Sequence, residues 1–512
     1  MAVEAESVAT RLGGKARTSN APGAPLAGGT IRPARTASCS TSRLSVLNSR
    51  WFDRTKPRFG VFRWSGAAPP SKPTNERWPE RAFEPFIPRP AVRPRPEPMP
   101  RPHRFAFLRA PKLSRATLHA SGPIAVGMIF LPRTDYDAQE LCRTLVETEI
   151  LEFGYRIYGW RQVPVDVSVI GEKANQTRPE IEQVLIGVRD DVSEEKFEID
   201  LYAIRRRIEK AVLSEAIKDF YICSMSCRSV IYKGMFLAEQ VTAFFPDLLD
   251  KRFVSSFAVY HQRYSTNTMP TWKLAQPFRV LAHNGEINTI RGNQNWMTCH
   301  EDRMDSEIFG DATEDLKPVI GKGSSDSAAL DAVFELMGHG GRTLPMVKTM
   351  MIPAAVDVDG DGELAKLYAY CNAVMEPWDG PAAIAAYANN WVIAGLDRNG
   401  LRPMRYVVTD DGLVIAGSET GMVVVPEERI IERGRIGPGQ MMGIDLKRGA
   451  IFSNNELKAE LAGKRDWAKW IGRSQQMDTL LAKTGTKPSE RLPALDLRRR
   501  QMMAGWTMED LE

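Results

Sequence analysis

The chain has 512 residues, 43% hydrophobic and 26% charged, with a formal net charge of +5, a composition that excludes a wholly unfolded polymer and allows a large core of about two to four domains. No apolar run approaches the ~20 residues a bilayer-spanning helix needs, and the first residues lack the apolar stretch of a secretory signal, so a soluble, cytoplasmic protein is expected. Its six cysteines (Cys39, Cys142, Cys223, Cys227, Cys299, Cys371) are scattered. The only close pair has no second pair to complete a zinc or iron–sulfur set, so free thiols and no metal are expected.

Residues 1–121 hold 22 Lys+Arg against 7 Asp+Glu and half of the chain's 34 prolines, in runs such as RPAVRPRPEPMPRPHRF. Proline fixes φ and removes an N–H, which keeps such runs out of helix and sheet interiors. The expectation for 1–122 is a disordered basic Pro/Arg-rich segment. A nucleic-acid-binding arm and an Arg-rich transit peptide are the sharper alternatives, the second opposed by Glu4, Glu6 and the segment's length.

The character changes at residue 123. IAVGMIFLP reads as a buried strand, and DAQELCRTLVETEILEFG as a helix closing on Gly154. In SEEKFEIDLYAIRRRIEKAVLSEA, Ser193 and an acidic first turn precede Phe197, Leu201, Ile204, Ile208, Ala211 and Val212 on one face. That spacing predicts an amphipathic helix with a solvated basic outer face. PAAIAAYA and WVIAGLD read as a hairpin through Asn389-Asn390, and RYVVT and LVIAGS as another through Asp410-Asp411-Gly412, which favours antiparallel sheets. From about 454 the chain turns helical and charged, and 451–512 reads as a linker toward a further domain.

Two polar segments remain. FAVYHQRYST and FRVLAHNGEI are each an apolar strand with a polar end, and pairing would deliver both ends to one place. Arg263 presents a planar fork suited to a carboxylate. Asn284-Gly285 offers a side-chain amide beside a backbone N–H that no Cβ obstructs, which is how an oxyanion hole is built. The plain readings are that Asn284-Gly285 is a turn, Arg263 an ion-pair residue, and Asp326 of SSDSAALD a helix N-cap. His261 and His283 read as structural hydrogen-bonders, and Trp272, Trp296 and Trp378 as core packing.

YGWRQVPVD (158–166), YKGMF (232–236), HQRYSTNTMPTW, HNGEINTIRGNQNWM, SSDSAALD (324–331), MEPWDGPAA (375–383), LDRNGLRPMRY (396–406) and PEERI (426–430), in that order, resemble the class II (N-terminal nucleophile) glutamine amidotransferase domain of glutamate synthase large subunits. The resemblance covers about 123–450. It implies an α+β fold, a four-layer αββα sandwich with antiparallel sheets, incomplete at its N-terminus. It implies glutamine as substrate, with Arg263 holding its α-carboxylate, Asp326 its α-ammonium group, and Asn284 and Gly285 the oxyanion. It implies no cofactor or metal in this chain: in the family FMN and an iron–sulfur cluster lie in central domains, where ammonia and 2-oxoglutarate give glutamate, and a small subunit oxidises NADPH. Neither nucleic acid nor membrane is an implied partner.

The chain departs from the family at its start. The family's nucleophile is a processed N-terminal cysteine in a Cys-Gly-Val-Gly-Phe stretch. No such stretch, and no His-Arg-Gly or Gly-Asp-Gly-Ala-Gly element, occurs here. Cys39, in TASCSTSRL, lacks the glycines and the strand. One account is that about 35–120 are translated out of frame; the other is a genuine replacement that leaves a non-catalytic glutamine-binding module.

Overall fold

The computed structural model describes residues 123–262, 269–358, 360–472, 477–484 and 493–506, together with a two-residue strand β1 at Phe62–Arg63. The segment 1–122, apart from β1, and with it Cys39, lies outside the described residues, as does Arg263.

The first part is a βαββαβ unit: β2 (Ile124–Leu131), α1 (Tyr136–Glu152), β3 (Arg156–Gln162), β4 (Glu180–Gly187), α2 (Glu194–Ser214) and β5 (Tyr221–Ser226). Its sheet is antiparallel, in the order β3-β4-β2-β5, the split arrangement such a unit adopts. Strand β2 is apolar without alternation because both faces are covered. Ala125, Ile129 and Leu131 meet Cys142, Val146 and Ile150 of α1 and Phe197, Leu201 and Ile204 of α2. Met128 and Phe130 face Phe244, Phe245 and Trp272 on the other side.

The helix ends follow from local chemistry. Asp135 accepts the Ala138 N–H (3.0 Å) to start α1, and Gly154, at φ 77°, closes it. Ser193 accepts the Lys196 N–H (3.2 Å) to start α2. The expectation of a solvated basic face on α2 is corrected. Arg205 is buried, 2% exposed, and meets Glu209 and Glu335, each at 2.6 Å, while Arg207 reaches Glu149 at 2.6 Å. Two other helices, α1 with Glu149 and a later one with Glu335, each supply a carboxylate that the sequence of α2 alone cannot show.

The second part is a layered sandwich. Strands β6 (Leu281–Gly285), β7 (Ala382–Ala388), β8 (Trp391–Leu396), β12 (Met441–Asp445) and β13 (Ala450–Phe452) form an antiparallel sheet in the order β13-β12-β8-β7-β6. The β7–β8 turn is the expected Asn389-Asn390, both with positive φ, the requirement of a tight hairpin. A helix layer covers one face: α4 (Asp326–His339), α5 (Leu344–Met351) and α6 (Glu363–Val374). They follow α3 (Ile290–Glu301) in the chain and bury Leu330, Phe334, Val347 and Leu367 against Ile384, Ala386 and Ile393. Alternation sends Ala383, Tyr387, Val392 and Ala394 to the opposite face, where they meet Val408, Val414 and Ala416. Those belong to a third sheet, β1-β10-β9-β11, built from β9 (Arg405–Thr409), β10 (Leu413–Gly417) and β11 (Ile430–Arg435). The expected α+β fold, stacked antiparallel sheets flanked by helices, is observed. Among the described residues β10 pairs with β1 at Val414 and Leu413.

Trp272 and Trp378 are buried, as expected. Trp296 is not: on α3 it is 54% exposed, at the flank of the stripe that buries Asn293 and Met297. The helical reading after 454 matches α7 (Asn454–Gly463), capped by Ser453 in a reciprocal box with Glu456. Among the described residues no helix is long and apolar enough to cross a membrane.

Candidate active site

The site is built at the C-terminal end of β6, and α4 holds that strand along its whole length. Asp331 accepts the N–H groups of Arg279 (3.1 Å), Val280 (2.9 Å) and Leu281 (3.0 Å) at the start of the strand. In the middle, Ser327 Oγ lies 2.7 Å from His283 Nδ1. Beyond the end, the Ile287 N–H donates to Asp326 Oδ2 at 3.0 Å. Gln276 clamps the same strand from the other side: its Oε1 accepts the His283 N–H (2.7 Å) and its Nε2 donates to the His283 carbonyl (2.9 Å).

This frame presents Asn284 and Gly285. Asn284 pairs with Ala383 and Gly285 with Ala382, so Asn-Gly ends a strand and does not make the turn its composition suggests. Asn284 is exposed and Gly285 half-buried. A Cβ at Gly285 would lie 1.8 Å from the Pro381 carbonyl oxygen and 2.8 Å from His283 Nε2. Only glycine fits. A second glycine makes the crossing possible: a Cβ at Gly380, whose φ is 149°, would lie 1.9 Å from the Glu286 carbonyl oxygen. The two loops are fastened where they cross by Glu286 N–H to Pro381 O (3.0 Å) and Asn288 N–H to Asp379 O (2.7 Å).

Burial sets the protonation states around this corner. His283 is 1% exposed, and burial lowers its pKa to about 4, with Asp326 opposing and His261 and Arg402 reinforcing the shift. The ring is therefore neutral at physiological pH, and its Nε2 is buried without a hydrogen-bond partner among the described residues. His283 is the structural hydrogen-bonder expected, and nothing in its state suits a general base. Burial also raises Asp331 to about 6, against the pull of Arg279 and its N–H donors. Asp397, 2% exposed, accepts the N–H groups of Ala382 (2.9 Å), Asn399 (2.8 Å) and Gly400 (3.1 Å), which fixes the turn after β8 beside the crossing.

The structure thus brings Asn284, Gly285 and Asp326 to one corner. Asp326 is not the helix N-cap: Ser325 takes that place, accepting the Ala328 N–H at 3.2 Å, and Asp326 begins the helix itself. Sequence reasoning missed Gln276, Ser327, Asp331 and Asp397, whose partners are backbone groups or a ring supplied by other parts of the fold. The described cysteines other than Cys299 are buried, and burial raises Cys142 to about 11 and Cys223 and Cys371 to about 12, which suits inert thiols. Among the described residues no group of three or more His, Cys, Asp or Glu side chains is placed to hold a metal.

The antiparallel sandwich thus presents an exposed Asn284 beside Gly285 at one strand end, and the family model for class-II glutamine amidotransferases matches residues 99–470. The chain belongs to that family. It is similar to glutamate synthases: 60% identical over 394 residues to the NADPH glutamate synthase large chain of Azospirillum brasilense, covering 76% of this chain and 26% of that one. To ferredoxin-dependent glutamate synthase 2 of Arabidopsis thaliana it is 39% identical over 401 residues, covering 76% and 24%. The chain spans about a quarter of the length of these curated relatives. Among solved structures it is similar to a glutamine phosphoribosylpyrophosphate amidotransferase of B. subtilis, at 15% identity and a TM-score of 0.21 over 64% of this chain and 48% of that one.

Proposed function

We propose that residues 123–450 form the glutamine-binding part of a glutamate synthase acting in the cytoplasm, and that residues 451–512 lead toward its further domains. Arg263 binds the α-carboxylate of glutamine and Asp326 its α-ammonium group, while the Asn284 amide and the Gly285 N–H face the carboxamide oxygen. The observation that supports this most is an exposed Asn284 beside a glycine, on a chain segment held at His283 by Ser327 and Gln276 and at Ile287 by Asp326. Donors held in advance cost no reorganisation when charge develops on that oxygen, and one such donor is typically worth ~3 kcal/mol. In the complete enzyme the released ammonia would meet 2-oxoglutarate at a centre with FMN and an iron–sulfur cluster, with electrons from an NADPH-oxidising subunit.

The 512-residue chain itself binds glutamine weakly and releases no ammonia. Hydrolysis needs a thiolate to attack the carboxamide carbon and a base beside it, and only then does an oxyanion form for Asn284 and Gly285 to stabilise. No Cys-Gly-Val-Gly-Phe stretch supplies that thiolate. The test is glutamine titration by calorimetry together with an ammonia assay: binding without turnover is expected, and turnover would overturn the reading. Reading the gene in its other frames between the codons for about 35 and 120 separates a shifted frame from a replaced segment, since only the first yields the missing family elements.

A further inference from the structure

A cavity of about 250 Å³ is lined mainly by residues from the segments 228–241, 253–262 and 275–280, and none of Asn284, Gly285 or Asp326 lines it. Phe236, Phe253, Phe257 and Phe278 form much of its wall, with Phe257 stacked on Tyr387 at 3.8 Å between ring centres. Three cationic side chains also line it, Arg228, Lys233 and Arg279. Lys233 lines the cavity and is 2% exposed. Its ammonium donates to the Lys273 carbonyl (2.8 Å) and to the Tyr221 hydroxyl (3.4 Å), and it lies 4.4 Å from the Tyr221 ring centre and 5.2 Å from that of Phe278.

What it lacks is a counter-ion. Of the three, Arg228 and Arg279 each hold a carboxylate, Glu194 at 2.8 Å and Glu209 at 2.7 Å. Among the described residues none stands within ion-pair distance of Lys233. A buried cation without a partner is costly, and the cost is relieved by a matching anion. Burial lowers its pKa to about 8, so the ammonium form still predominates at neutral pH.

We propose that this cavity binds a small monocarboxylate with an aromatic body, the carboxylate pairing with Lys233 and the ring filling the phenylalanine-lined space. A dianion such as phosphate fits poorly, because one ammonium cannot replace the hydration of two charges among apolar walls. The volume suits a single ring with a short side chain, smaller than the ~300–1,000 Å³ of most drug-sized sites.

The test is calorimetric titration of the full chain with phenylacetate and with its neutral isostere phenylacetamide. Phenylacetate is expected to bind about tenfold or more tightly than the amide, and Lys233→Met to abolish that preference, as loss of a desolvated charge pair does. Lys233→Met should keep the thermal midpoint, since an apolar chain replaces an unpaired buried charge. Equal affinity for the two probes, no heat with either at millimolar concentration, or a preference that survives Lys233→Met would overturn the proposal. Should Lys233→Met not fold, Lys233→Gln replaces it, and the comparison of probes on the unaltered chain decides by itself.

Discussion

Ser327 Oγ lies 2.7 Å from Nδ1 of His283, so the first turn of α4 fixes the ring immediately before Asn284. Ser327→Ala leaves a buried ring nitrogen without its partner, and a loss of about 2 kcal/mol follows from the desolvation left uncompensated. Denaturant unfolding of the two chains measures it; an unchanged midpoint would show that the contact contributes nothing to holding the corner.

His283 and Asp331 titrate in opposite senses across one pH window. His283 has its pKa lowered from 6.5 to about 4, so the folded chain is favoured above pH 6.5 and loses that advantage as pH falls toward 4. Asp331 has its pKa raised from 3.8 to about 6, so its contribution is greatest below 3.8 and is lost as pH rises through 6. Each is on the order of 3 kcal/mol, and the two largely cancel. Relative to the unaltered chain, His283→Gln is expected to lose stability as pH rises from 4 to 6, and Asp331→Asn to gain it. Parallel pH–stability curves for all three chains would refute the assignment.

Gly285→Ala drives a Cβ against the Pro381 carbonyl at 1.8 Å, and the backbone must move. The expected cost is about 4 kcal/mol, at the far end of single substitutions. Gly292→Ala, where nothing lies within 4 Å of the added carbon, is the control and should be nearly neutral. A similar thermal shift in both variants would place the crossing elsewhere.

Glutamine binding is expected to weaken about tenfold or more in Arg263→Ala and in Asp326→Asn, each removing one charge that matches the substrate. Ammonia release should stay at background in these and in Cys39→Ala. Turnover in the unaltered chain that Cys39→Ala abolishes would restore Cys39 as the nucleophile.

Thiol labelling at neutral pH separates the cysteines by burial. Cys299, exposed, should react within the native chain, while Cys142, Cys223, Cys227 and Cys371, buried and with raised pKa values, should react only on unfolding. Peptide mapping after a short pulse of reagent reads this directly; early modification of Cys223 would show the first sheet opening.

Elements whose causes are local were legible in the sequence. Gly154 and Ser193 bound α1 and α2 because stops and caps act over three or four residues, and Asn389-Asn390 made its hairpin because the turn needs positive φ at both positions. Asn284-Gly285 was found by its chemistry, yet its geometry was not readable: the atoms that demand glycine at 285 belong to Pro381, and those that hold the strand belong to Asp331 and Ser327. The capping pattern around Asp326 is local, and the structure gives the cap to Ser325, while the Ile287 N–H that Asp326 accepts is 39 residues away. Trp296 was assigned to the core by residue type, and only the placement of α3 exposes it.

The interlock of Gly285 with Gly380 and the three anchors from α4 make this corner part of the hydrophobic framework and not an appendage to it. Asp326, Ser327 and Asp331 therefore cannot be exchanged without unfastening β6 from its helix, whereas Asn284, exposed at the strand end, is not one of those anchors. Folding alone thus keeps the frame of this corner in place, and the frame's presence records ancestry where only turnover records use.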